Sequence, residues 1–592
     1  QTLERAEHPV DKANIYRQII VQRSSLAQWA DSLEMGIIAL SELGVDLPDG
    51  GFHELLLADK AKIEQHIADK PIASLIEMRE CRSSGVALAV LLLSKLGAPV
   101  YLSKPDLFPL ISTRMLLLAF DHGLKAEIAM ACICYGMVLA GQFQEYSLAY
   151  EYGRLGLAIA DRFNDRSVKS QATTTFLSHL VFWRKPFADN EALVKRGFQA
   201  GIEVGDLEFT SYMLQNHSIN CFVSGERLGH LRDRINGYTD HFNRGKNPIA
   251  HVAMGNIQLA ISNLRGETKD ANSFAHDDLD EGRLLQDARS HTNNWGICMY
   301  YIYKAQVKFY NGDYRDTDNL LLAAKELLPY ISTTSPEGDY YYLRALTTAA
   351  LYPNEQEQKS TTRLDELDEC INWLARCAET CEENWGHKHL LARAERARIA
   401  ARPWDAIEDY DRAIASADRN RCLPVEATAN LLAGSFWLDR GKRRIGAAYI
   451  LDSHQCFVDW GAQRIADKLK AEFPRILSRQ RRDEQELPTT DSITTTDSLG
   501  HPIDLQTVIE GTHAITNETN LPSLLTKIME ISLRNAGAEQ GLLILARSGD
   551  MVIKARGVAR DSTHVELMSV DLHQYEDSPE SIVQYVTRTG EP

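Results

Sequence analysis

The sequence has no long hydrophobic run. In its 592 residues the longest uninterrupted apolar segment is Val86–Leu93, far short of the roughly 20 residues that cross a bilayer. The first residues, QTLERAEHPVDKAN, contain no basic stretch followed by an apolar one, so no signal peptide is predicted. They also lack an initiator methionine. We therefore expect a piece of a longer chain that has no membrane association.

Basic residues are also few. There are 64 Lys and Arg against 81 Asp and Glu, which gives a formal charge of −17. A general nucleic-acid-binding surface needs a basic face, so nucleic acid is not an expected partner. The ten cysteines show no regular pairing, which favours reduced thiols and a cytoplasmic location.

Several short motifs that carry chemistry are missing. The chain has no G-x-x-x-x-G-K-[ST] or G-x-G-x-x-G phosphate loop, and Gly441-Lys442 has no glycine five residues earlier. It also has no H-E-x-x-H, C-x-x-C or G-x-S-x-G pattern. The sequence therefore assigns no catalytic, cofactor-binding or metal-binding residue, and we expect no cofactor in this fragment.

Helical periodicity, by contrast, is abundant. In residues 304–327, Gly312-Asp313-Tyr314 separates two runs whose apolar residues advance in steps of three and four. That spacing places each run on one helix face, and glycine and aspartate suit a tight turn. The segment predicts a helical hairpin in which Thr317 and Ala324 allow close approach and Tyr314 lies between the helices.

Similar hairpin patterns recur with irregular spacing, each with a small residue at the turn, an aromatic residue near it and small residues at helical intervals. The residues concerned are Ala27, Trp29, Ser32, Gly36 and Ala39; Gly141, Phe143, Tyr150 and Gly153; Ala406, Tyr410 and Ala413; Gly441 and Gly446. They predict a mainly α fold, an α-solenoid of tetratricopeptide-like helix pairs over residues 1–477. No sheet is expected there, because almost nothing alternates with period two.

The pattern changes after residue 477. Residues 478–502 are rich in Ser, Thr, Asp, Arg and Pro and predict a polar linker. Residues 503–592 then predict a truncated α+β domain. Its expected elements are helices at 505–518, 521–538 and 579–590, and strands at 541–547 and 551–559 joined at Ser548-Gly549-Asp550.

One group of residues resembles a metal site. Cys377 and Cys381 would share a helix face, and His387 and His389 follow closely. However, Cys370 continues the same stripe, and cysteine is a common small core residue. Because the spacing matches known zinc patterns poorly, we favour packing.

Other conspicuous residues also have structural explanations. The acidic pairs Asp365-Glu366 and Glu382-Glu383 suggest solvated helix faces. Tryptophans are enriched at binding hot spots, but helix packing is the favoured role for the four considered as partner anchors. These are Trp183, Trp295, Trp404 and Trp460, and the same reasoning applies to His217 and His454.

Several segments resemble one family. They are residues 102–123, 182–190, 201–215, 309–327, 381–399, 406–438, 457–474 and 503–545. Together they are similar to the central part of very large multi-domain signalling kinases of bacteria and fungi. In that family a serine/threonine-kinase-like domain and a P-loop ATPase precede a tetratricopeptide-like region, a GAF sensor domain and a histidine kinase. Asn384-Trp385 departs from the family's usual Asn-Phe, and Thr317 stands where alanine is usual.

The resemblance implies a regulatory region. The helical repeats would bind protein partners, and residues 503–592 would be the N-terminal part of a GAF domain. That domain would bind a small ligand or form a homodimer through the helix of Leu505, Val508 and Ile509. It has no cysteine, so covalent bilin attachment is not expected. The full-length protein would be an ATP- and Mg²⁺-dependent histidine or serine/threonine kinase acting in a phosphorelay, whereas this fragment would be non-catalytic.

Two alternatives remain open from the sequence. The repeats could sense signals in an ATPase-type transcription regulator that ends in a DNA-binding helix-turn-helix. They could also form a plain scaffold whose GAF fold binds nothing.

Overall fold

The computed structural model describes residues 8–25, 28–67, 70–245, 247–276, 279–352, 357–477, 521–536, 538–547, 550–559, 563–575 and 583. The chain divides into two compact units. The first comprises residues 1–235 and 239–488, and the second comprises residues 489–592 with 236–238. The predicted linker, 478–502, and the predicted helices at 505–518 and 579–590 lie outside the described residues, apart from Val583. The predicted domain boundaries therefore stay predictions.

The first unit is built from helices, which confirms the mainly α fold. They are α1 (Pro9–Ser25), α2 (Trp29–Glu42), α3 (Phe52–Ile67), α4 (Ser84–Lys95), α5 (Gly97–Ser103), α6 (Phe108–His122), α7 (Ile128–Phe143), α8 (Tyr146–Phe163), α9 (Arg166–His179), α10 (Glu191–Glu203), α11 (Leu207–Val223), α12 (Leu228–Gly245), α13 (Pro248–Arg265), α14 (Glu281–Ser290), α15 (Asn294–Tyr310), α16 (Tyr314–Lys325), α17 (Leu328–Ile331), α18 (Ser335–Leu351), α19 (Glu357–Thr380), α20 (Glu382–Ile399), α21 (Pro403–Arg419), α22 (Leu423–Asp439), α23 (Arg443–Trp460), α24 (Gln463–Glu472) and α25 (Pro474–Leu477). No helix among the described residues is both long and apolar enough to cross a bilayer.

The turn at Gly312-Asp313-Tyr314 forms the predicted hairpin between α15 and α16. Gly312 has φ +83°, a conformation that favours glycine. The Asp313 carboxylate accepts a hydrogen bond from the Asp316 backbone N–H at 3.2 Å and caps α16. Thr317 and Ala324 are buried as expected, and Tyr314 lies against the Phe309 ring.

Among the described residues most of the other hairpin predictions are confirmed, and the predicted turn residue Ala27 lies outside them. Ser32, Gly36 and Ala39 are buried in α2, and Ala406, Tyr410 and Ala413 are buried in α21. The turn predicted at Gly141 is wrong, because α7 continues to Phe143. Gln144, with φ +57°, makes the turn instead. Gln144 adopts a left-handed backbone conformation that usually favours glycine, so the glycine in the sequence did not mark the position of the turn.

Hydrogen bonds also join helices that are distant in sequence. The Arg464 guanidinium donates to the Asn263 carbonyl at 2.8 Å, and the Trp460 indole donates to the Glu226 carbonyl at 3.2 Å. The last repeats therefore pack against helices from the middle of the unit. This departs from a simple one-dimensional stack, in which each repeat contacts only its neighbours.

A very short antiparallel ladder interrupts the helices of the first unit. Strand β1 (Ala275–His276) pairs with β2 (Leu279–Asp280) in the register Ala275 to Asp280. The ladder is too short to carry the alternation that reveals strands in a sequence.

The second unit contains helix α26 (Leu521–Ala536) and an antiparallel sheet of β3 (Gln540–Arg547), β4 (Asp550–Ala559) and β5 (Thr563–Asp571) in the order β3-β4-β5. Leu533 and Met529 of α26 pack on Ala555 of β4. A side chain on Gly557 would collide with Leu533, since its Cβ would lie 2.4 Å away. The predicted α26, β3 and β4 are confirmed, while β5 was missed because HVELMSVD alternates only weakly.

Candidate functional site

The four residues that resembled a metal site lie in separate environments. Cys377 and Cys381 are buried, and the Cys381 thiol lies 3.5 Å from Glu383. Burial lowers the pKa of His387 to about 3, and burial together with Arg393 lowers that of His389 to about 4. Across the described parts of the chain, no three His, Cys, Asp or Glu side chains come together in a way that could hold a metal ion.

Two of the segments that carry the family resemblance form one joint. The Asn384 side chain donates to the carbonyls of Phe182 (2.8 Å) and Lys185 (2.9 Å), and accepts from the Phe187 backbone N–H (3.1 Å). Trp183 and Trp385 stack beside it, both fully buried. Residues 182–190 and 381–399, which are distant in the sequence, therefore pack against each other, and Asn384 is buried in the contact together with the two tryptophans.

A buried ion pair lies next to this joint. The Lys388 ammonium is 2.6 Å from Asp339 Oδ1, and both residues are almost inaccessible to solvent. Burial raises the pKa of Asp339, although Lys388 opposes this effect. Since an isolated charge in such a site would cost several kcal/mol, each partner is held in place by the other.

Glu382 and Glu383 are exposed, as expected, but the two members of the other acidic pair differ. Asp365 is exposed, as expected, whereas the neighbouring Glu366 is half-buried and accepts from Arg344 at 2.7 Å. Arg344 also contacts Asp318. The interpretation of Glu366 as part of a solvated face is thus wrong, because it belongs to an ion-pair network between helices α16, α18 and α19.

Three of the four candidate tryptophans are covered wholly or in part. Trp183 and Trp460 are fully buried, as the packing interpretation predicts, and Trp295 is half-buried. For Trp404 that interpretation is wrong, because this side chain is 79% exposed. It follows Pro403 at the start of α21. An exposed tryptophan is the side chain most enriched at binding hot spots.

A second exposed apolar side chain, Ile445 of α23, is placed near Trp404 by the following geometry. Asp411 of α21 accepts a hydrogen bond from the Tyr449 hydroxyl of α23 at 2.6 Å. Helix α22 packs against both α21 and α23 and is joined to each by a short turn, so α21 and α23 run in the same general direction. Trp404 precedes Asp411 by two helical turns, about 10 Å, and Ile445 precedes Tyr449 by one turn, about 6 Å. Both side chains therefore lie on the facing sides of their helices. Ile445 is 45% exposed.

Basic residues flank these two apolar side chains in the sequence. The turn before α23 contributes exposed Arg440, Lys442, Arg443 and Arg444, and the turn before α21 contributes Arg402, which pairs with Asp405 at 3.1 Å. We call the set of Arg402, Trp404, Arg440, Lys442, Arg443, Arg444 and Ile445 the basic rim. In the sequence, Gly441-Lys442 was weighed as a phosphate loop and Gly441 as a hairpin turn, but Lys442 was not recognised as part of a basic surface. The usable signals were the run GKRR and the position of Trp404, which points away from the buried stripe that begins at Ala406.

No family model matches the chain. A stretch of 56 residues, 10% of the chain, is 41% identical to hybrid signal transduction histidine kinase G of Dictyostelium discoideum. That match spans 2% of the length of the kinase. Among solved structures, a circular tandem repeat protein with a novel repeat topology covers 80% of this chain and 98% of its own at 12% identity, with a TM-score of 0.13.

Proposed function

We propose that residues 1–477 form a protein-interaction and regulatory region of a signalling kinase, and that residues 503–592 begin its sensor domain. In this proposal ATP and Mg²⁺ are used by catalytic domains elsewhere in the full-length cytoplasmic protein, and this fragment catalyses no reaction itself. The helical region transmits a signal between an upstream nucleotide-driven domain and a downstream phosphotransfer domain.

The observation that carries the proposal is the exposure of Trp404 and Ile445 on adjacent helices. Large apolar side chains that project from a well-packed helical unit are typical of surfaces that another protein covers. The interior of the same unit is closed by buried aromatic residues such as Trp183 and Trp385. The outer surface is therefore the better place for a partner than the space between the helices.

Two further observations support the signalling context. The 56-residue similarity is to a protein whose name describes a hybrid histidine kinase. In addition, a helix packed on one face of an antiparallel sheet, as α26 packs on β3, β4 and β5, is compatible with the beginning of a GAF domain. A small ligand of that domain, or its dimerisation, belongs to the same proposal.

The test uses the full-length protein and the purified chain. We expect the chain alone to show no ATP hydrolysis or phosphotransfer. In the full-length protein we expect autophosphorylation to change when Trp404→Ala and Ile445→Ser are combined, with an unchanged circular dichroism spectrum. Catalysis by the isolated chain, or unaltered autophosphorylation in the folded double variant, would contradict the proposal. A full-length sequence with a DNA-recognition helix in place of a kinase would favour the regulator instead.

A further inference from the structure

The basic rim has an unbalanced charge. Lys442, Arg443 and Arg444 are exposed, and within the described part of the chain no ion pair is found for any of the three. The acidic residues in the two turns are Asp439 and Asp405, and Asp405 already pairs with Arg402. A local excess of positive charge on a chain with a net charge of −17 creates a focused site for anionic groups.

The rim combines this charge with apolar contact area. Because α21 and α23 run in the same general direction and Asp411 bonds Tyr449, the helix rise places Trp404 and Ile445 less than about one turn apart along the helix axes. A partner that lies across both turns would meet the apolar side chains and the basic ones at once. Such a partner must carry carboxylates and at least one large apolar side chain within a short length.

Exposed acidic residues close to the basic rim restrict the size of the anionic partner that it can bind. Glu408 and Asp411 are exposed on α21 within two turns of Trp404, and the whole chain is acidic. An extended polyanion such as a nucleic acid, or the plane of an anionic membrane, would meet these carboxylates and be repelled. A single extended or helical peptide is narrow enough to avoid them.

We propose that the basic rim binds a short acidic peptide segment of a partner protein, with Trp404 and Ile445 covering its apolar side chains. This inference rests on the proposed function, since it names the class of partner that the interaction region takes. The cations bring the segment to the surface and fix its direction, and Trp404 supplies most of the contact area.

The test measures binding of the purified chain to a fluorescent peptide of Glu and Leu residues by fluorescence anisotropy. The triple variant Lys442→Glu, Arg443→Glu, Arg444→Glu should weaken binding at least about tenfold, and Trp404→Ala should weaken it by about tenfold as well. Binding should also weaken between 50 and 300 mM salt, because exposed charges are screened.

The matched control reverses three exposed basic residues elsewhere, Lys62→Glu, Arg82→Glu and Arg475→Glu, and therefore makes the same change in net charge. Its affinity should stay within about threefold of the unmodified chain, since its charges lie outside the rim. A peptide with Gln in place of Glu should not bind.

Three results would overturn the inference. They are no binding of the acidic peptide, equal losses in the rim and control variants, and preferential binding of single-stranded RNA or phosphatidylserine vesicles through the rim. The proposed function is judged separately. Its test replaces only Trp404 and Ile445 and measures autophosphorylation, so it can succeed when the acidic peptide fails.

Discussion

The indole rings of Trp183 and Trp385 stack with their centroids 5.8 Å apart and their planes inclined by 25°, although the two residues lie in distant parts of the sequence. The side chain next to Trp385, that of Asn384, bonds three backbone groups of residues 182–187. This contact joins residues 182–187 to helix α20. Parts of the first unit that are distant in the sequence therefore pack together, unlike repeats that contact only their neighbours.

The first prediction concerns that joint. Asn384→Ala removes all three hydrogen bonds and leaves the buried Phe182 carbonyl and two partly buried backbone groups without this partner, so we expect the free energy of unfolding to fall by about 2–4 kcal/mol. Urea denaturation followed by circular dichroism measures this change. The matched control is Asn420→Ala, whose side chain bonds only the Ser416 carbonyl one turn away. It should cost less than about 1 kcal/mol, and equal losses in the two variants would contradict a special role for Asn384.

The second prediction concerns the buried ion pair. Lys388→Met leaves the Asp339 carboxylate buried without its partner, which should lower the free energy of unfolding by about 3–5 kcal/mol. The double variant Lys388→Met, Asp339→Asn should recover a large part of that loss, because no buried charge remains. Denaturation of the two single variants and the double variant forms a thermodynamic cycle. Simple additivity of the single effects would show that the two side chains do not depend on each other.

The third prediction concerns pH. Burial raises the pKa of Glu337 to about 7, although the Thr333 backbone N–H, which donates to its carboxylate at 2.8 Å, acts in the opposite direction. The folded state therefore holds a proton that the unfolded state releases near pH 4.5. Stabilisation from this group is present below about pH 4.5 and is lost as the pH rises through about 7.

Glu337→Gln should remove this dependence. Relative to the unmodified chain, the variant should be similar in stability at pH 5 and progressively more stable towards pH 8. The measurement is the difference in urea midpoint between the two proteins across that range. A difference that stays constant with pH would refute a raised pKa at Glu337.

Much of the fold could be predicted from the sequence because helical periodicity is local. The hairpin at Gly312, the inward faces around Ser32 and Ala406, and α26 with strands β3 and β4 all follow from backbone geometry and the spacing of apolar residues. The turn near Gly141 was misplaced because Gln144 adopts a left-handed conformation that only the surrounding packing requires.

The candidate site could be predicted only in part. Trp404 was among four tryptophans considered as partner anchors, but composition could not separate it from the buried Trp183 and Trp460. The basic run at Lys442 was visible as well, yet nothing local placed it beside Trp404. We infer that neighbourhood from the hydrogen bond that joins Asp411 of α21 to Tyr449 of α23.

The sequence by itself determined that this chain forms paired helices followed by a small mixed unit, because 3.6-residue and two-residue periods are properties of neighbouring residues. Only the tertiary structure decided which aromatic side chains are covered, that Asn384 holds the segment around Phe182, and that Trp404 stays in solvent. Burial depends on which distant helix arrives at a given face, and no local pattern encodes that partner.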